Sequence, residues 1–472
     1  MIPNEDNGKI NANKILIILL LAGFMSMLNE TALNIAFPQI MIEFSVSAGT
    51  VQWLTTVYVL VSGIVFLVSA FLIQRFSTKK LFLSAMVFLI IGTIVSGISP
   101  NFALLLLGRI IQAVGTGILV PLMFNTVLIL IDPEKRGFVM GLVTLVIISA
   151  TVIAPVGTGL LMNFMDWHWL FLLLFLFFAG TTIAGISFVR NVTELNHPQL
   201  DVASVILATL GFGGVIIALS NLGDNGFLNL QVITPFIIGI LSLLIFGKRQ
   251  LSLDHPLLDL HPFKYSSFAI GVVINSINVM MVFAVVVILP IYLQTALGIT
   301  AFMASLVMLP GGIINSLLSI VSGRIYDEHG PRMVISGGIA IACIGMLAFS
   351  QITTTTVLLL IVLIHCVFLT GSALIMAPNQ TNTLGNLPKE YYPSGSALMT
   401  SLQQIGGAIG SSLFVSFMSL GQNSYLSNIY HPNQVQNIQA MVYGVDISFL
   451  IGGILLAATL VISLFLKHEK AV

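Results

Sequence analysis

G-R-I-Y-D-E-H-G-P-R, from Gly323 to Arg332, separates two long apolar runs. A-F-L-I-Q-R-F-S-T-K-K, from Ala70 to Lys80, separates another such pair nearer the N-terminus. The second stretch reads as a degraded copy of the first, with Gln74 where Asp327 stands. A charged loop that recurs between apolar helices marks an internal repeat. The spacing of the copies fits two halves of six helices each, with an extra helix pair between them.

Counting outward from those loops gives the rest. A membrane-crossing helix needs about 20 mostly apolar residues. Fourteen runs qualify, over residues 15–38, 50–73, 81–99, 101–126, 138–161, 168–189, 202–222, 231–247, 267–293, 300–322, 332–350, 354–378, 395–418 and 444–466. The predicted fold is therefore all-α and membrane-integral. It divides into a tail (1–14), an N-terminal six-helix bundle (15–190), a central helix pair (191–250), a linker (251–266), a C-terminal six-helix bundle (267–466) and a second tail (467–472).

Composition agrees. Of 472 residues, 57% are hydrophobic and 7% charged, against roughly 25% charged in soluble chains. The 17 basic and 17 acidic residues cancel, so net charge points to neither nucleic acid nor an acidic partner. Cys343 and Cys366 lie in apolar runs and form no metal-binding pattern. With fourteen spans, every Lys and Arg except Arg109 falls in the tails or in loops on one side. Basic loops stay cytoplasmic, so both termini are expected in the cytoplasm of a multi-pass protein of the cell membrane.

Several segments in order carry a family resemblance. F-M-S-M-L-N-E-T-A-L-N-I-A-F-P (Phe24 to Pro38), R-I-I-Q-A-V-G-T-G (Arg109 to Gly117), A-P-V-G-T-G (Ala154 to Gly159) with W-H-W-L-F after it (Trp167 to Phe171), P-L-L-D-L-H-P-F-K (Pro256 to Lys264) and L-P-G-G-I-I-N (Leu309 to Asn315) span nearly the whole chain. They resemble the fourteen-span drug/proton antiporters of the major facilitator superfamily, the EmrB/QacA type, whose plan is two parallel six-helix repeats. The resemblance implies the major facilitator fold, an antiporter motif at Ala154, Pro155, Gly157 and Gly159, and a gating loop at Gly323, Arg324, Asp327, Gly330 and Arg332. Two departures stand out. Asn29 occupies the family's usual acid position, with the acid moved to Glu30 in an N-E-T variant similar to lincomycin-type exporters. The first-half gating loop has lost its acid at Gln74.

The residues support that reading independently. A charge at mid-membrane costs several kcal/mol and normally faces the bundle interior or a wet cavity. Glu30 and Arg109 are read as the charges well inside spans, each about 12 Å below the outer boundary, a depth that permits an ion pair. Each lies in a polar stripe: Ser26, Glu30 and Asn34 on the first span, with Asn29 beside them, and Arg109, Gln112 and Thr116 on the fourth. These are candidates for proton coupling (Glu30, Arg109) and for a substrate cavity (Ser26, Asn29, Asn34, Gln112, Thr116). The alternative is a static pair pinning two helices. Asn275, Asn278 and Asn315 either line the cavity or hydrogen-bond between helices. His365 reads as hydrogen-bonded packing. Asp224 and Asp446 read as solvated outer helix ends, and Asp254, His255, Asp259 and His261 as linker residues rather than a metal site.

The expected activity is proton-driven multidrug efflux by alternating access, without a cofactor or enzymatic chemistry. The proton gradient is the energy source. The cargo is expected to be hydrophobic small-molecule drugs that are neutral, zwitterionic or singly cationic, carried across the lipid bilayer by a monomer. Export of one specific lipid, metabolite or antibiotic is the alternative, with passive facilitation behind it. The topology is open to direct test. Tags at either terminus should be accessible only from the cytoplasm, and Asn225→Cys should react with an impermeant thiol reagent from outside. Labelling of position 225 from the cytoplasmic side alone would overturn the span count.

Overall fold

The structure is a computed structural model describing residues 12–131, 133–192, 201–253, 256–388, 391–427, 429 and 431–466. Most of both expected tails, and Asp254 and His255, lie outside the described residues, as do the side chains of Asp224 and Asp327. No strand occurs among the described residues. The helices are α1 (Ala12–Ala32), α2 (Trp53–Arg75), α3 (Thr78–Gly97), α4 (Phe102–Leu130), α5 (Pro133–Leu161), α6 (His168–Phe188), α7 (Val202–Asn225), α8 (Leu230–Gln250) and α9 (Ser266–Thr295). Then come α10 (Ala301–Ser319) and α11 (Glu328–Phe349), followed by α12 (Leu358–Gly385), α13 (Tyr392–Leu426) and α14 (Gln434–Ser463).

Among the described residues, thirteen helices are long and apolar enough to cross a membrane. The run expected at 138–161 falls within α5, whose apolar part among those residues is the shorter Ser149–Leu161.

Three expectations need correction. The stretch from Gly323 to Arg332 is mostly not a loop: helical winding runs from α10 to its end, and only Gly330 departs from it, at φ 77° and ψ 166°. That left-handed turn suits glycine, and Pro331 then restarts the helix where its missing N–H costs nothing. Arg324 and Arg332 on either side are exposed. Second, α14 begins ten residues before the expected 444, because Asn433 and Gln436 cap it reciprocally. Asp446 is thus three turns inside a helix rather than at its end, and its Oδ1 is buried without a partner. Third, α1 continues through a 3₁₀ turn (Leu33–Ala36) into a helix at Phe37–Phe44.

Glycines set three of the helix crossings. α3 meets α4 at Gly92 and Gly108, where a Cβ on Gly92 would stand 2.6 Å from Gln112 N and 2.7 Å from Gly108 O. α11 meets α12 at Gly338 and Gly371, where a Cβ on Gly338 would stand 2.9 Å from Gly371 O. Both crossings pair a glycine of one helix with a glycine of the next, so the backbones touch. α7 and α8 cross in the same way at Gly214 and Gly239. Without water to drive association, close backbone approach is what holds membrane helices together.

The halves meet through α2 and α13 and through α5 and α10. Thr56 Oγ1 and Ser411 Oγ share a hydrogen bond of 2.8 Å, and Gln404 Nε2 donates to Ser62 Oγ at 3.4 Å. At the end of the bundle where α5 finishes, Gln294 Nε2 donates to Ile35 O at 2.9 Å. The central pair lies on this seam. α7 packs on both α2 and α13, and Ser416 Oγ donates to Leu219 O at 2.5 Å. Arg249 at the end of α8 grips Asp201 at the start of α7 through two bonds of 2.9 Å. Those bonds hold the Asp201 carboxyl down at about 2, so the contact persists above the ordinary carboxylate range and is lost only as pH falls toward 2.

Gly92→Ala should therefore cost about 1–3 kcal/mol through overpacking, read as a lowered thermal midpoint in detergent. Gly180→Ala, with nothing within 4 Å of the new methyl, should leave the midpoint unchanged. Equal midpoints for the two variants would show that α3 and α4 can separate at no cost.

A buried arginine cradle beside a central cavity

Arg109 lies on α4, fully buried. Its donors are met by neutral oxygens: Nε reaches Leu54 O at 3.2 Å, Nη1 reaches Asn29 O at 3.0 Å, Asn29 Oδ1 at 3.1 Å and Gln112 Oε1 at 3.1 Å, and Nη2 reaches Glu30 O at 3.1 Å. The guanidinium carbon also sits 4.2 Å from the centre of the Tyr58 ring, a cation–π contact strengthened by exclusion of water. The 3₁₀ winding at Leu33–Ala36 explains why α1 offers these carbonyls. It shifts which N–H each preceding carbonyl meets, and a carbonyl has a second lone pair to give.

The expected pairing of Glu30 with Arg109 is thus altered in kind. Arg109 takes the backbone oxygen of Glu30, and no ion pair joins the two side chains among the described residues. Three of the five acceptors share Nη1 and the others take Nε and Nη2, so the guanidinium is oriented by neutral oxygens rather than by the carboxylate. The Glu30 side chain turns instead to a central cavity of about 240 Å³, and its Oε2 is buried without a hydrogen bond.

The polar stripes divide accordingly. Glu30, Asn278, Asn315 and Pro155 line the cavity, whereas Ser26, Asn29, Asn34, Gln112, Thr116 and Asn275 do not. The first five of these lie behind its wall as interhelical contacts. Gln112 Nε2 donates to Thr93 Oγ1 at 2.8 Å and Thr55 Oγ1 to Asn34 Oδ1, while Ser26 Oγ bonds within its own helix to Gly23 O at 2.9 Å. Tyr58 Oη shares a 2.5 Å bond with Thr116 Oγ1, donates to Ser26 O at 3.3 Å and accepts from Asn29 Nδ2 at 3.4 Å. Helical spacing identified the stripe, but a stripe about 100° wide touches a neighbouring helix along one edge.

On α5, Ala154 is buried and Pro155 faces the cavity. Gly159 lets α10 approach: a Cβ there would meet Ser305 Oγ at 2.6 Å and Ala301 O at 2.9 Å. Gly157 has open space beside it.

Tyr58, His365, Gln403 and Gln404 belong to the site, and sequence reasoning gave them no role in it. Tyr58 stands four residues after Leu54, whose carbonyl holds Arg109, and so shares its face. The Gln403–Gln404 pair inside an apolar helix was a readable signal of the same kind. His365 lines the cavity, and its Nδ1 has no hydrogen-bond partner among the described residues, contrary to the hydrogen-bonded packing expected of it.

The sequence model of the Major Facilitator Superfamily matches residues 19–411. The chain is 43% identical to the lincomycin resistance protein LmrB of Bacillus subtilis (strain 168), over 97% of this chain and 96% of that protein. It is 40% identical to the LmrB of Listeria innocua, over 98% of each. Among solved structures, a bacterial homolog of the human lysosomal transporter Spinster, inward-facing and unoccupied, superposes with a TM-score of 0.69 at 14% identity, covering 98% of each chain.

Removing the cradle's centre should be costly. Arg109→Gln leaves several buried carbonyls without donors, at about 1–3 kcal/mol each, and should sharply lower folded yield. Tyr58→Phe keeps the ring under the guanidinium and should cost only about 1 kcal/mol. Thermal midpoints of the purified variants check both, and a stable Arg109→Gln would mean that water or lipid satisfies those oxygens.

Proposed function

The chain belongs to the drug/proton antiporter family of the major facilitator superfamily, and from that premise we propose that it is a proton-coupled exporter of hydrophobic small molecules, with Glu30 as the coupling carboxyl. One observation carries the reading: Glu30 is 4% exposed, borders the central cavity and has an oxygen without a partner. A carboxyl is the one kind of group on this wall that becomes an anion when it gives up a proton. The group can therefore exchange a proton for a cationic or polar cargo. In this reading α5 is the fifth of fourteen spans, both termini are cytoplasmic, and the contacts at Gln294 and Gly159 close the outer end.

Cargo enters from the cytoplasm or inner leaflet and displaces the proton from Glu30. After the halves rock, protonation from outside releases the cargo and permits return. Coupling is thus mutual exclusion at one carboxyl, a difference in affinity between two states. Arg109 holds the backbone of α1 throughout, so the carboxyl stays aimed at the cavity whichever ligand it carries. A narrower reading, export of a single antibiotic class, is favoured by the 43% identity to a lincomycin resistance protein.

Glu30→Gln should abolish uphill efflux in everted vesicles, a loss of at least about 100-fold, because an amide cannot release a proton. Binding of a neutral substrate should survive, since the amide imitates the protonated acid. Undiminished pH-driven efflux by Glu30→Gln would sink the assignment.

A further inference from the structure

Not every polar group on the cavity wall is free. Asn315 Nδ2 already donates to Leu369 O at 3.0 Å, and Gln404 Nε2 to Ser62 Oγ. Four side chains on the wall keep unused capacity: Glu30 through Oε2, Thr31 through Oγ1, Asn278 through both Nδ2 and Oδ1, and His365 through Nδ1. They are 4%, 6%, 1% and 3% exposed, respectively. A buried polar atom without a partner costs about 1–3 kcal/mol and is uncommon in folded proteins, so five such atoms around one cavity indicate an occupant that satisfies them.

The arrangement is divided between the halves. Glu30 and Thr31 come from α1, while Asn278 on α9 and His365 on α12 come from the other half. The Nδ1 edge of the His365 ring packs against Gly311 of α10, where a side chain would collide with it. The remaining wall is largely apolar, with Met27, Val282, Phe283 and Phe368 among its residues.

Resting on the reading of this cavity as the transport site, we propose that His365 and Asn278 form a second recognition pole that binds an uncharged amide or hydroxyl of the cargo, while Glu30 holds its cationic group. A neutral imidazole has one donor and one acceptor, and a carboxamide has two donors and one acceptor. Together they match a group that both donates and accepts, as a secondary amide or a hydroxyl does. A bare quaternary ammonium with an alkyl tail offers neither. No Lys or Arg lies among the lining residues, so an anionic group would meet the Glu30 carboxylate with no compensating cation. The cargo class is therefore a singly charged or neutral amphiphile carrying an amide or hydroxyl a few bonds from its amine.

The test uses two cations of equal charge and similar length in binding assays on the purified, lipid-reconstituted protein: dodecyltrimethylammonium, and octanamidopropyl-trimethylammonium, which carries a secondary amide. The unmodified protein should bind the amide compound about tenfold more tightly, the equivalent of one good hydrogen bond. His365→Leu and Asn278→Leu should each bring the two ligands close to parity by weakening only the amide compound. His365→Asn, whose amide reaches the position of Nδ1, should restore the preference. Absence of a preference in the unmodified protein, or equal weakening of both ligands by His365→Leu together with failure of His365→Asn to restore it, overturns the proposal. Failure of the underlying reading looks different: Glu30→Gln would then leave the affinity for both cations unchanged.

Discussion

A guanidinium buried among membrane helices must be solvated by protein, and the way this chain does it constrains everything around it. Arg109 draws one carbonyl from α2 and two from α1, which fixes α1, α2 and α4 relative to one another. Had the Glu30 carboxylate supplied the counter-charge directly, the two ions would have satisfied each other, and breaking them apart would cost several kcal/mol. Solvation by neutral dipoles leaves the carboxyl unspent. The cation still lends its field to the carboxyl, but its position does not depend on whether Glu30 carries a proton. In the proposed cycle that separation matters, because a coupling group has to change its charge without unfastening the helices that carry it.

The seam between the halves follows a different rule. Within each half, glycine pairs bring backbones into contact at Gly92 with Gly108 and at Gly338 with Gly371, and such contacts cannot open gradually. Between the halves, α5 and α10 also approach closely at Gly159, but the polar contacts are single hydroxyl and carboxamide bonds, such as Thr56 with Ser411, which measured cases place near 0.6 kcal/mol in membranes, with model peptides at about 1–2. Rigid halves with a loosely bonded seam are what rocking requires. The central helix pair adds a qualification, since α7 lies against both α2 and α13. α7 is packed tightly on α13 at Gly223, where a Cβ would stand 2.9 Å from Ser416 Cα.

Much of this was legible in the sequence, for physical reasons. The long apolar runs reflect the membrane helices directly, and Glu30 and Arg109 stood out because charge is so costly in an apolar run. What Arg109 holds was not legible, since its main acceptors are backbone carbonyls, which every residue has. The division of the stripe was hidden as well: Asn34 and Thr116 look like cavity residues on a helical projection, yet their partners, Thr55 and Tyr58, approach from another helix. Asp446 was misplaced because V-Q-N-I-Q-A reads as a polar loop, whereas a reciprocal cap at Asn433 extends the helix through it.

Asp446 bears on the energetics of exchange. Its Oδ1 is buried and unpartnered, but it is not among the residues lining the cavity. In the proposed scheme the cargo therefore meets one carboxyl, and one carboxyl can neutralise one positive charge. A second charge on the cargo would lie unpaired in an apolar cavity, at a cost of several kcal/mol. Exchange of one proton for one monocation moves no net charge, so the pH difference alone drives it. Exchange of one proton for a neutral molecule moves one charge and also draws on the membrane potential, about 2.3 kcal/mol per 100 mV. A single cavity acid with a neutral pole opposite it can serve both kinds of cargo, and the charge of the cargo decides which part of the gradient is used.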